Sequence, residues 1–444
     1  MTALDGLQGP RQAAAGTPVP WELLRTTTTP GKLRLLLVGL VVLSLTWGVA
    51  AALVVSQRAA GAADVVSTSE PLSLDGQQIY RALSDADATA ATAFLSGGLE
   101  PIAVRHRYQA DIAQAAARLE AATAIAGQSA AARDLATLSA ELPVYTGEVE
   151  TARADNRLGL PLGAAYLREA SGLMRGTLLP AARDVAARAD AQLAADSARA
   201  TGLPLALVLL AVAIVVGLVL HRAQRWLSRR THRVVNLGLL AASAAAAVSV
   251  LWLVIGLSVA RAELLRAHDQ GSGPVAALAR ADIAALQART DESLTLIDGG
   301  GDDSFQTDFL AVQHRLGPGP GSLLTDAASA ARGSPAAVSA SAAASAATAW
   351  YAAHRTVRSL DNNGQHTQAV RLVITTGPGH SSTQFARLDA ALTSGIIADQ
   401  AAFSATAIAG RDAFTGLEAG VIALALVMAA GCARGLMQRL AEYR

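Results

Sequence analysis

The sequence predicts an all-α membrane protein with four transmembrane helices and two duplicated extracellular antiparallel helical bundles. Four apolar runs are each long enough to cross a bilayer, which takes about 20 helical residues. The segments between them are rich in alanine, with apolar residues recurring at three- or four-residue steps, the helical period. Aromatic residues are only 4 % of the chain, which is too few for the cores of large sheets.

The basic stretch from His221 to Asn236 lies between two apolar runs and carries no carboxylate. Lys and Arg beside membrane helices are retained in the cytoplasm, so the stretch predicts a cytoplasmic loop. The alternative interpretation is that this stretch contacts lipid headgroups or a cytoplasmic partner. In that case its basic and aromatic side chains are candidates for relaying a signal to the cytoplasm. They are Arg222, Arg225, Trp226, Arg229, Arg230 and Arg233.

Charge and cysteine content narrow the classes of function. The formal net charge is +1, so no strongly charged partner such as nucleic acid is expected. The single cysteine, Cys432, excludes an intrachain disulfide framework and a cysteine-based zinc cluster. The extracellular domains would therefore depend on helix packing alone.

Apolar runs and breaks divide the chain into nine segments. In order, they are a disordered cytoplasmic tail (1–34), a first span (35–55), a first bundle (56–202), a second span (203–220), the basic loop (221–236), a third span (237–260), a second bundle (261–415), a fourth span (416–433) and a cytoplasmic tail (434–444). In the first bundle, breaks at 69–76, 96–101, near Gly127 and at 155–163 define about four helices.

The first span could also be a signal sequence, since small residues follow it. It is longer than a signal-peptide core of about 7–15 residues, and its counterpart in the second half is internal. The last tail carries Arg434, Arg439 and Arg444, again the sign of a cytoplasmic segment. The sequence thus predicts a multi-pass plasma-membrane protein with both termini in the cytoplasm.

An internal repeat is predicted by several blocks that agree in order. YQADIAQAAARL (108–119) aligns without gaps to FQTDFLAVQHRL (305–316). Upstream, Pro71 corresponds to Pro274, and downstream the separation from Tyr145 to Asp155 equals that from Tyr351 to Asp361. The repeated unit is a span, a helical bundle and a second span.

An up-and-down bundle places two turns of each repeat at the end farthest from the membrane. Glycine, aspartate and asparagine suit such turns by themselves, which is the simpler interpretation. The alternative is that these tips contact a ligand or a partner. The candidate contact residues are Glu100, Arg105, Arg107, Asp155, Asn156 and Arg157 at the first tip, and Asp302, Asp303, Asp361 and Asn362 at the second.

Signatures of catalysis and of cofactor binding are missing from the sequence. It has no GxxxxGK[ST] phosphate loop, no HExxH motif and no kinase signature. The histidines are scattered, and the spans hold few ionisable residues apart from Glu418, which argues against translocation. We therefore expect a non-enzymatic protein with no cofactor, no metal site and no catalytic residue.

The chain resembles two groups of known proteins. The first half, with DADATAATAFLSGG (85–98), looks like the four-helix-bundle sensor regions of chemoreceptors and sensor kinases. The four-span arrangement, and especially ADNRLGLPLGAAYLREASGLMRGTLLPAA (154–182), resembles the actinobacterial GlnX-type membrane proteins. That resemblance implies a relay from an extracytoplasmic amino-acid-binding lipoprotein of the GlnH type to a cytoplasmic Ser/Thr kinase, protein kinase G.

These observations favour a non-enzymatic transmembrane signal transducer embedded in the lipid bilayer. A structural scaffold of an envelope complex and an accessory subunit of a solute transporter are the alternatives. The sequence leaves open which ligand is sensed and whether it binds directly or through a binding protein. It also leaves open the direction of signalling and whether the protein is a monomer or a homodimer.

Overall fold

The computed structural model describes residues 29–98, 100–127, 129–231, 236–299 and 303–441. The protein is 89 % helical, and the described residues contain no strand. The all-α fold class predicted from the sequence is confirmed.

Four helical segments are long and apolar enough to cross a membrane, which suggests a multi-pass membrane protein. They are Gly31–Phe94, Leu162–Arg229, Leu237–Asp298 and Ser381–Ala441. Each is 61 to 68 residues long, far longer than the roughly 20 residues that a bilayer requires. Each therefore contains both a candidate span and helical structure beyond it.

The chain forms two compact units. The first, here the span unit, comprises the described parts of 1–56, 203–255 and 416–444. The second, here the lobe unit, comprises 57–202 and 256–415. The lobe unit contains both predicted bundles, which the sequence presented as separate domains. We call residues 57–202 the first lobe and 256–415 the second lobe.

Four helices supply the span unit: α1 (Thr29–Asp64), α7 (Leu203–Thr231), α8 (Leu237–Ala267) and α15 (Leu417–Ala441). Small residues allow α8 and α15 to pack closely, since a Cβ built on Gly431 would lie 2.8 Å from the Gly238 carbonyl oxygen. The Trp47 indole N–H donates to the Ser249 hydroxyl across 3.1 Å and joins α1 to α8.

Two helices of the span unit extend past the predicted ends of the spans, whose membrane boundaries stay predictions. Helix α1 begins at Thr29, so residues 29–34 are helical rather than part of a disordered tail; residues 1–28 lie outside the described part of the chain. Helix α7 continues to Thr231, so most of the basic stretch is helical rather than a loop. Neither glycine nor proline interrupts residues 218–231, and Arg, Gln, Ala and Leu all favour a helix.

The first lobe is an antiparallel bundle whose helix ends fall at most of the predicted breaks. Its helices are α2 (Glu70–Phe94), α3 (Ile102–Ala126), α4 (Ala132–Arg157), α5 (Leu162–Leu173) and α6 (Leu179–Thr201). Their shared core contains Leu83, Leu135, Tyr145 and Met174, each at most 1 % exposed.

The predicted break at 69–76 is wrong. A π-helical turn at Val65–Ser69 joins α1 to α2 without interruption. Pro71 lies in the first turn of α2, where its missing N–H has no helical partner to lose. A second π turn, Met174–Leu178, joins α5 to α6, and Pro180 occupies the corresponding position in α6.

The second lobe contains α9 (Gly273–Asp298), α10 (Ser304–Leu316), α11 (Leu323–Ala330), α12 (Ala337–Asn362), α13 (His366–Ile374) and α14 (Ser381–Asp412). Helices α10 and α11 occupy the place that α3 takes in the first lobe, and the turn GPGPG (317–321) separates them. Trp350 is fully buried at the centre of this lobe, between Phe309 and Phe385.

A third π turn, His268–Ser272, joins α8 to α9. It lies 203 residues after the π turn at 65–69, and Pro274 lies 203 residues after Pro71. The equal spacing supports the internal repeat, which itself stays a prediction.

Candidate functional site

Helices α2 and α9 are the central contact between the two lobes. The Arg81 guanidinium contacts Asp282, and the Thr92 hydroxyl lies 3.1 Å from that of Ser293. Both contacts join residues that are 201 positions apart, and they are separated by 11 residues on each helix. Eleven residues make about three helical turns. The two helices therefore run parallel and in register, with the same faces in contact.

Arg81 is the main charged link across this contact. Its Nε donates to Asp282 across 2.5 Å, and its Nη2 donates to Asp389 across 2.9 Å and to Thr393 across 2.7 Å. The Asp282 side chain is 1 % exposed and that of Arg81 is 25 % exposed. One arginine of the first lobe thus holds two carboxylates of the second, from α9 and from α14.

Arg107 extends the same network from helix α3. Its Nη2 lies 2.9 Å from an Asp85 oxygen and 3.3 Å from Asp389. Arg107, a predicted contact residue of the first tip, is thus engaged in contacts within the lobe unit, and its contact with a ligand or partner stays a prediction. It lies about one and a half turns into α3, which begins at Ile102, and its guanidinium contacts Asp85 in the first lobe and Asp389 in the second.

Carboxylates outnumber cations in this inter-lobe network, which consists of Arg81, Arg107, Asp85, Asp111, Asp282 and Asp389. Burial raises the pKa of Asp282 to about 7 although Arg81 opposes the shift. Burial and the neighbouring Asp85 carboxylate raise the pKa of Asp111, one of whose oxygens is buried without a hydrogen-bond partner. The network therefore takes up protons at pH values at which an exposed aspartate is ionised.

A second charged contact joins the lobes through helix α5–α6. The Arg175 Nη2 lies 2.5 Å from Asp291 on α9, whose pKa burial raises to about 6 against the effect of Arg175. Asp87 on α2 is buried nearby and accepts hydrogen bonds from Ser171 at 3.0 Å and from Tyr145 at 3.4 Å. Each central helix thus carries at least two buried aspartates that contact other helices, including Asp85 and Asp87 on α2, and Asp282 and Asp291 on α9.

The structure brings four of the predicted first-tip residues together. Glu100, Arg105, Asn156 and Arg157 line one small cavity of about 70 Å³. The Asn156 amide donates to the Phe94 carbonyl oxygen across 3.0 Å and closes the tip. Pockets for small ligands usually measure about 300–1,000 Å³, so this tip offers a surface rather than a pocket.

Asp155 and Arg153 complete the description of the first tip. Asp155 lies on the last turn of α4, where its carbonyl oxygen accepts the N–H groups of Leu158 and Leu160. Arg153, which sequence reasoning did not select, bridges Glu100 at 3.2 Å and Glu150 at 2.6 Å. Its guanidinium also stacks on the Tyr108 ring, 4.1 Å from the centroid, which explains why it is buried.

The second tip is held by local ion pairs. Asp361 accepts from Arg358 at 2.6 Å and contacts His366 at 2.8 Å, and Asn362 accepts from Arg358 at 3.2 Å. Asp303 directly precedes α10, and Asp302 lies outside the described residues. These contacts fit the turn interpretation and leave the partner interpretation untested.

The basic relay candidates are displayed along the end of α7. Arg222, Arg225 and Arg229 are exposed, and Trp226 on the same helix is partly exposed. Gln224, between them, donates to the Leu239 carbonyl oxygen at 3.1 Å and to Ser243 at 2.9 Å on α8. Arg233 and the side chain of Arg230 lie outside the described residues.

A buried polar cluster in the second lobe has residue types that could suggest catalysis. Ser381 donates to Glu292 at 2.7 Å, and His354 contacts the same carboxylate at 3.0 Å. The hydroxyl therefore points to the carboxylate instead of to the imidazole, unlike a nucleophile paired with its base. Burial alone would raise the pKa of Glu292, but the hydrogen bond from His354 and the charge of Arg289 lower it to about 2.

All members of this cluster are at least nine-tenths buried: Arg289, Glu292, His354 and Ser381. The ring of Phe309 stacks on His354 with centroids 3.5 Å apart. We interpret the cluster as a structural element of the core. Among the described residues, no three His, Cys, Asp or Glu side chains are grouped so that they could hold a metal ion.

The comparison with protein families bears on the first lobe. Residues 61–198 match the family model of an actinobacterial sensor domain. The match supports a sensor role. It extends from the end of α1 into the last turn of α6, so it includes nearly all of the first lobe, with Arg81 and Arg107, which contact the second lobe. No curated protein and no solved structure matches the chain.

Sequence reasoning missed the inter-lobe network, although one signal was present. Asp85 and Asp87 stand in an alanine-rich stretch, and Asp282 stands in ARADIAAL (279–286). Charged residues within such small, apolar helix faces are usually buried with a partner. The Arg107 partner of Asp85 is 22 residues away in the sequence, whereas Arg81 and Asp282 are 201 residues apart, and only the packing of the lobes shows that contact.

Proposed function

We propose that this protein is a non-enzymatic transmembrane sensor. It would relay the extracellular amino-acid status, presented by a binding lipoprotein, to a cytoplasmic Ser/Thr kinase. The lobe unit lies outside the cell in this proposal, and both termini and the basic end of α7 lie inside. The match of the first lobe to a sensor domain is the observation that carries the sensor role.

The helix connections support a path for the signal. Helices α1 and α2 are joined by a π turn without a break, and so are α8 and α9. By contrast, α6 ends at Thr201 and is followed by Gly202, whose ψ of 137° is not helical, and turn residues 413–416 separate α14 from α15. The first and third candidate spans are thus continuous with the two central helices of the lobe unit, while the second and fourth are not.

A change in how α2 packs against α9 would therefore pass directly into two spans. A ligand or partner shifts such an equilibrium only if it binds one arrangement more tightly than the other. In this proposal, the charged inter-lobe network is the set of contacts that such a shift would change. The amino-acid-binding lipoprotein and the kinase enter the proposal through the resemblance to GlnX-type proteins.

The experiment that tests the proposal locks α2 to α9. In a Cys432→Ser background, Thr92→Cys and Ser293→Cys place two thiols where hydroxyls are 3.1 Å apart. We expect the disulfide to abolish the response of kinase substrate phosphorylation to extracellular amino acid, and a reductant to restore it. Each single-cysteine variant is the control. A locked protein that responds like the wild type would overturn the proposed signal path.

A further inference from the structure

A cavity of about 390 Å³ lies within the lobe unit, where both lobes meet. Its walls come from α2, α6, the end of α8, the π turn at 268–272, the start of α9 and α14. Small side chains leave the space open, among them Ala194, Ala198 and Ala276. The volume is within the range of about 300–1,000 Å³ that small-molecule sites usually have.

Two carboxylates in this cavity lack a counter-ion. Glu70, which is 6 % exposed, accepts a hydrogen bond from Ser404 at 2.6 Å. Asp190 accepts from the neutral groups of Ser73 and Gln77. Neither carboxylate forms an ion pair with any residue that the structure describes, whereas Asp282, Asp291 and Glu292 elsewhere in the lobe unit each pair with an arginine.

The surroundings of the two carboxylates favour a positively charged ligand. Burial raises the pKa of both Glu70 and Asp190, since hydrogen bonds from neutral groups only partly offset the loss of water. The charge of Arg280 lowers the pKa of Asp190 but does not offset burial, and His268, which lines the cavity, contacts the Ser272 hydroxyl. The Gln77 side-chain oxygen is buried without a hydrogen-bond partner and could accept an N–H donor.

Apolar side chains form much of the remaining wall, together with the polar side chains of Ser197, Thr201 and Gln400. Leu193, Leu264, Leu265, Val275 and Phe403 line the cavity beside the polar groups. A ligand that fits this lining has an aliphatic body together with one or two donor groups. An acidic amino acid does not fit, because its carboxylates would face Glu70 and Asp190.

We propose that this cavity binds a small aliphatic diammonium compound, with one nitrogen at Glu70, the other at Asp190 and its carbon chain against the leucines and Phe403. The site is distinct from the amino-acid relay proposed above. Two of the three π turns adjoin it, since Glu70 follows the turn at 65–69 and His268 belongs to the turn at 268–272. Such turns recur at functional sites in helices. A ligand held there contacts both lobes and would favour one arrangement of them.

The test is a thermal unfolding titration of the purified full chain in lipid nanodiscs. The probe is 1,5-diaminopentane, at constant ionic strength. Pentane-1,5-diol serves as the uncharged analogue and L-glutamate as the acidic one. We expect a saturable rise in the unfolding temperature with the diamine and no rise with the other two. No rise with the diamine at millimolar concentration, or an equal rise with the diol, would overturn the proposal.

Two amide variants identify the site. Glu70→Gln and Asp190→Asn keep the hydrogen-bond acceptors but remove the charges, and each should weaken diamine binding about tenfold or more, as expected when a charged hydrogen bond is lost. Asp184→Asn, at a partly exposed position on the same helix as Asp190, is the matched control and should bind like the wild type.

Equilibrium dialysis of labelled diamine against the folded fraction provides a second measurement that does not depend on the stability of the variants. Unchanged binding in the double variant Glu70→Gln/Asp190→Asn would overturn the site. The measurements need neither a lipoprotein nor a kinase, so failure here leaves the proposed relay standing, and failure of the relay leaves this site standing.

Discussion

At the scale of single residues, the contact between the lobes is decided by buried charges. Arg81 satisfies Asp282 and Asp389, and Arg107 satisfies Asp85 and reaches Asp389. Asp111 has no ion pair among the described residues and has one oxygen buried without a partner. Four aspartates therefore share two arginines, and protonation is what relieves the excess negative charge.

This excess predicts a pH dependence of stability. The folded-state pKa values of Asp282 and Asp111 are raised above the usual value near 3.9. The folded state therefore binds more protons than the unfolded state, so the free energy of unfolding decreases as the pH rises through about 7, the value for Asp282. Asp111→Asn should raise the unfolding temperature at pH 8 and reduce its difference from pH 5.5.

Thermal unfolding at the two pH values measures this effect. Glu120→Gln is the control, because Glu120 is an exposed carboxylate on the same helix. An Asp111→Asn protein that is as pH-dependent as the wild type would show that the network does not set the pH dependence.

The two arginines of the network should differ in importance. Arg81→Met leaves Asp282 buried and unpaired, and breaking a buried pair costs about 3 kcal/mol or more. Arg107→Met should cost much less, because the Arg107 side chain is 46 % exposed and solvent screens its interactions. Urea unfolding of both variants at pH 7 gives the comparison, and equal losses would contradict the burial argument.

At the scale of elements, some helices are continuous with the next one through a π turn, and others are separated from it by a turn. Proline at the start of α2 and α9 follows a π turn that keeps each helix continuous with the one before it. In the second lobe, the turn at 317–321 divides what is a single helix, α3, in the first. The prolines of the turn at 317–321 interrupt a helix, whereas those in the first turn of α2 and α9 do not, because the first turn of a helix does not need the proline N–H.

Close packing of α8 on α15 depends on glycine. A Cβ on Gly431 would meet the Gly238 carbonyl oxygen at 2.8 Å and the Ala242 nitrogen at 3.1 Å, both backbone atoms that cannot move aside easily. Gly431→Ala should therefore destabilise the span unit by about 1–3 kcal/mol, the usual cost of overpacking.

Thermal unfolding in detergent micelles tests this packing. Gly420→Ala on the same helix is the matched control, since its Cβ would meet only the Trp252 ring, at 3.8 Å or more. Equal unfolding temperatures for the two variants would mean that α8 and α15 can separate without cost.

At the scale of the whole molecule, the chain places two lobes in one compact unit and its candidate spans in another. Because α2 and α9 run parallel and in register, one chain provides within itself a pair of lobes that face each other. The charged side chains of that contact come from both halves of the sequence. The first half provides Arg81, Asp85, Arg107 and Asp111, and the second provides Asp282 and Asp389.

The proposed orientation predicts which residues are accessible from outside the cell. In a Cys432→Ser background, Arg157→Cys at the first tip and Asn362→Cys at the second should react with a membrane-impermeant maleimide in intact cells. Arg222→Cys should react only after permeabilisation. All three positions are exposed, so burial does not explain a difference. Labelling of Arg222→Cys in intact cells would reverse the topology and remove the basis of the proposed relay.

The sequence by itself determined the helical class, the four apolar segments and most helix ends of the first lobe. These depend on local properties: hydrophobic length, the 3.6-residue period, and the conformations that glycine and proline permit. It also placed Glu100, Arg105, Asn156 and Arg157 at one tip, because an antiparallel bundle brings alternate turns together. Only the tertiary structure decided that the lobes form one unit, that Arg107 faces the second lobe, and that a cavity opens beside Glu70. Those features depend on which side chains meet across about 200 residues of sequence or more, and neither helical period nor composition carries that information.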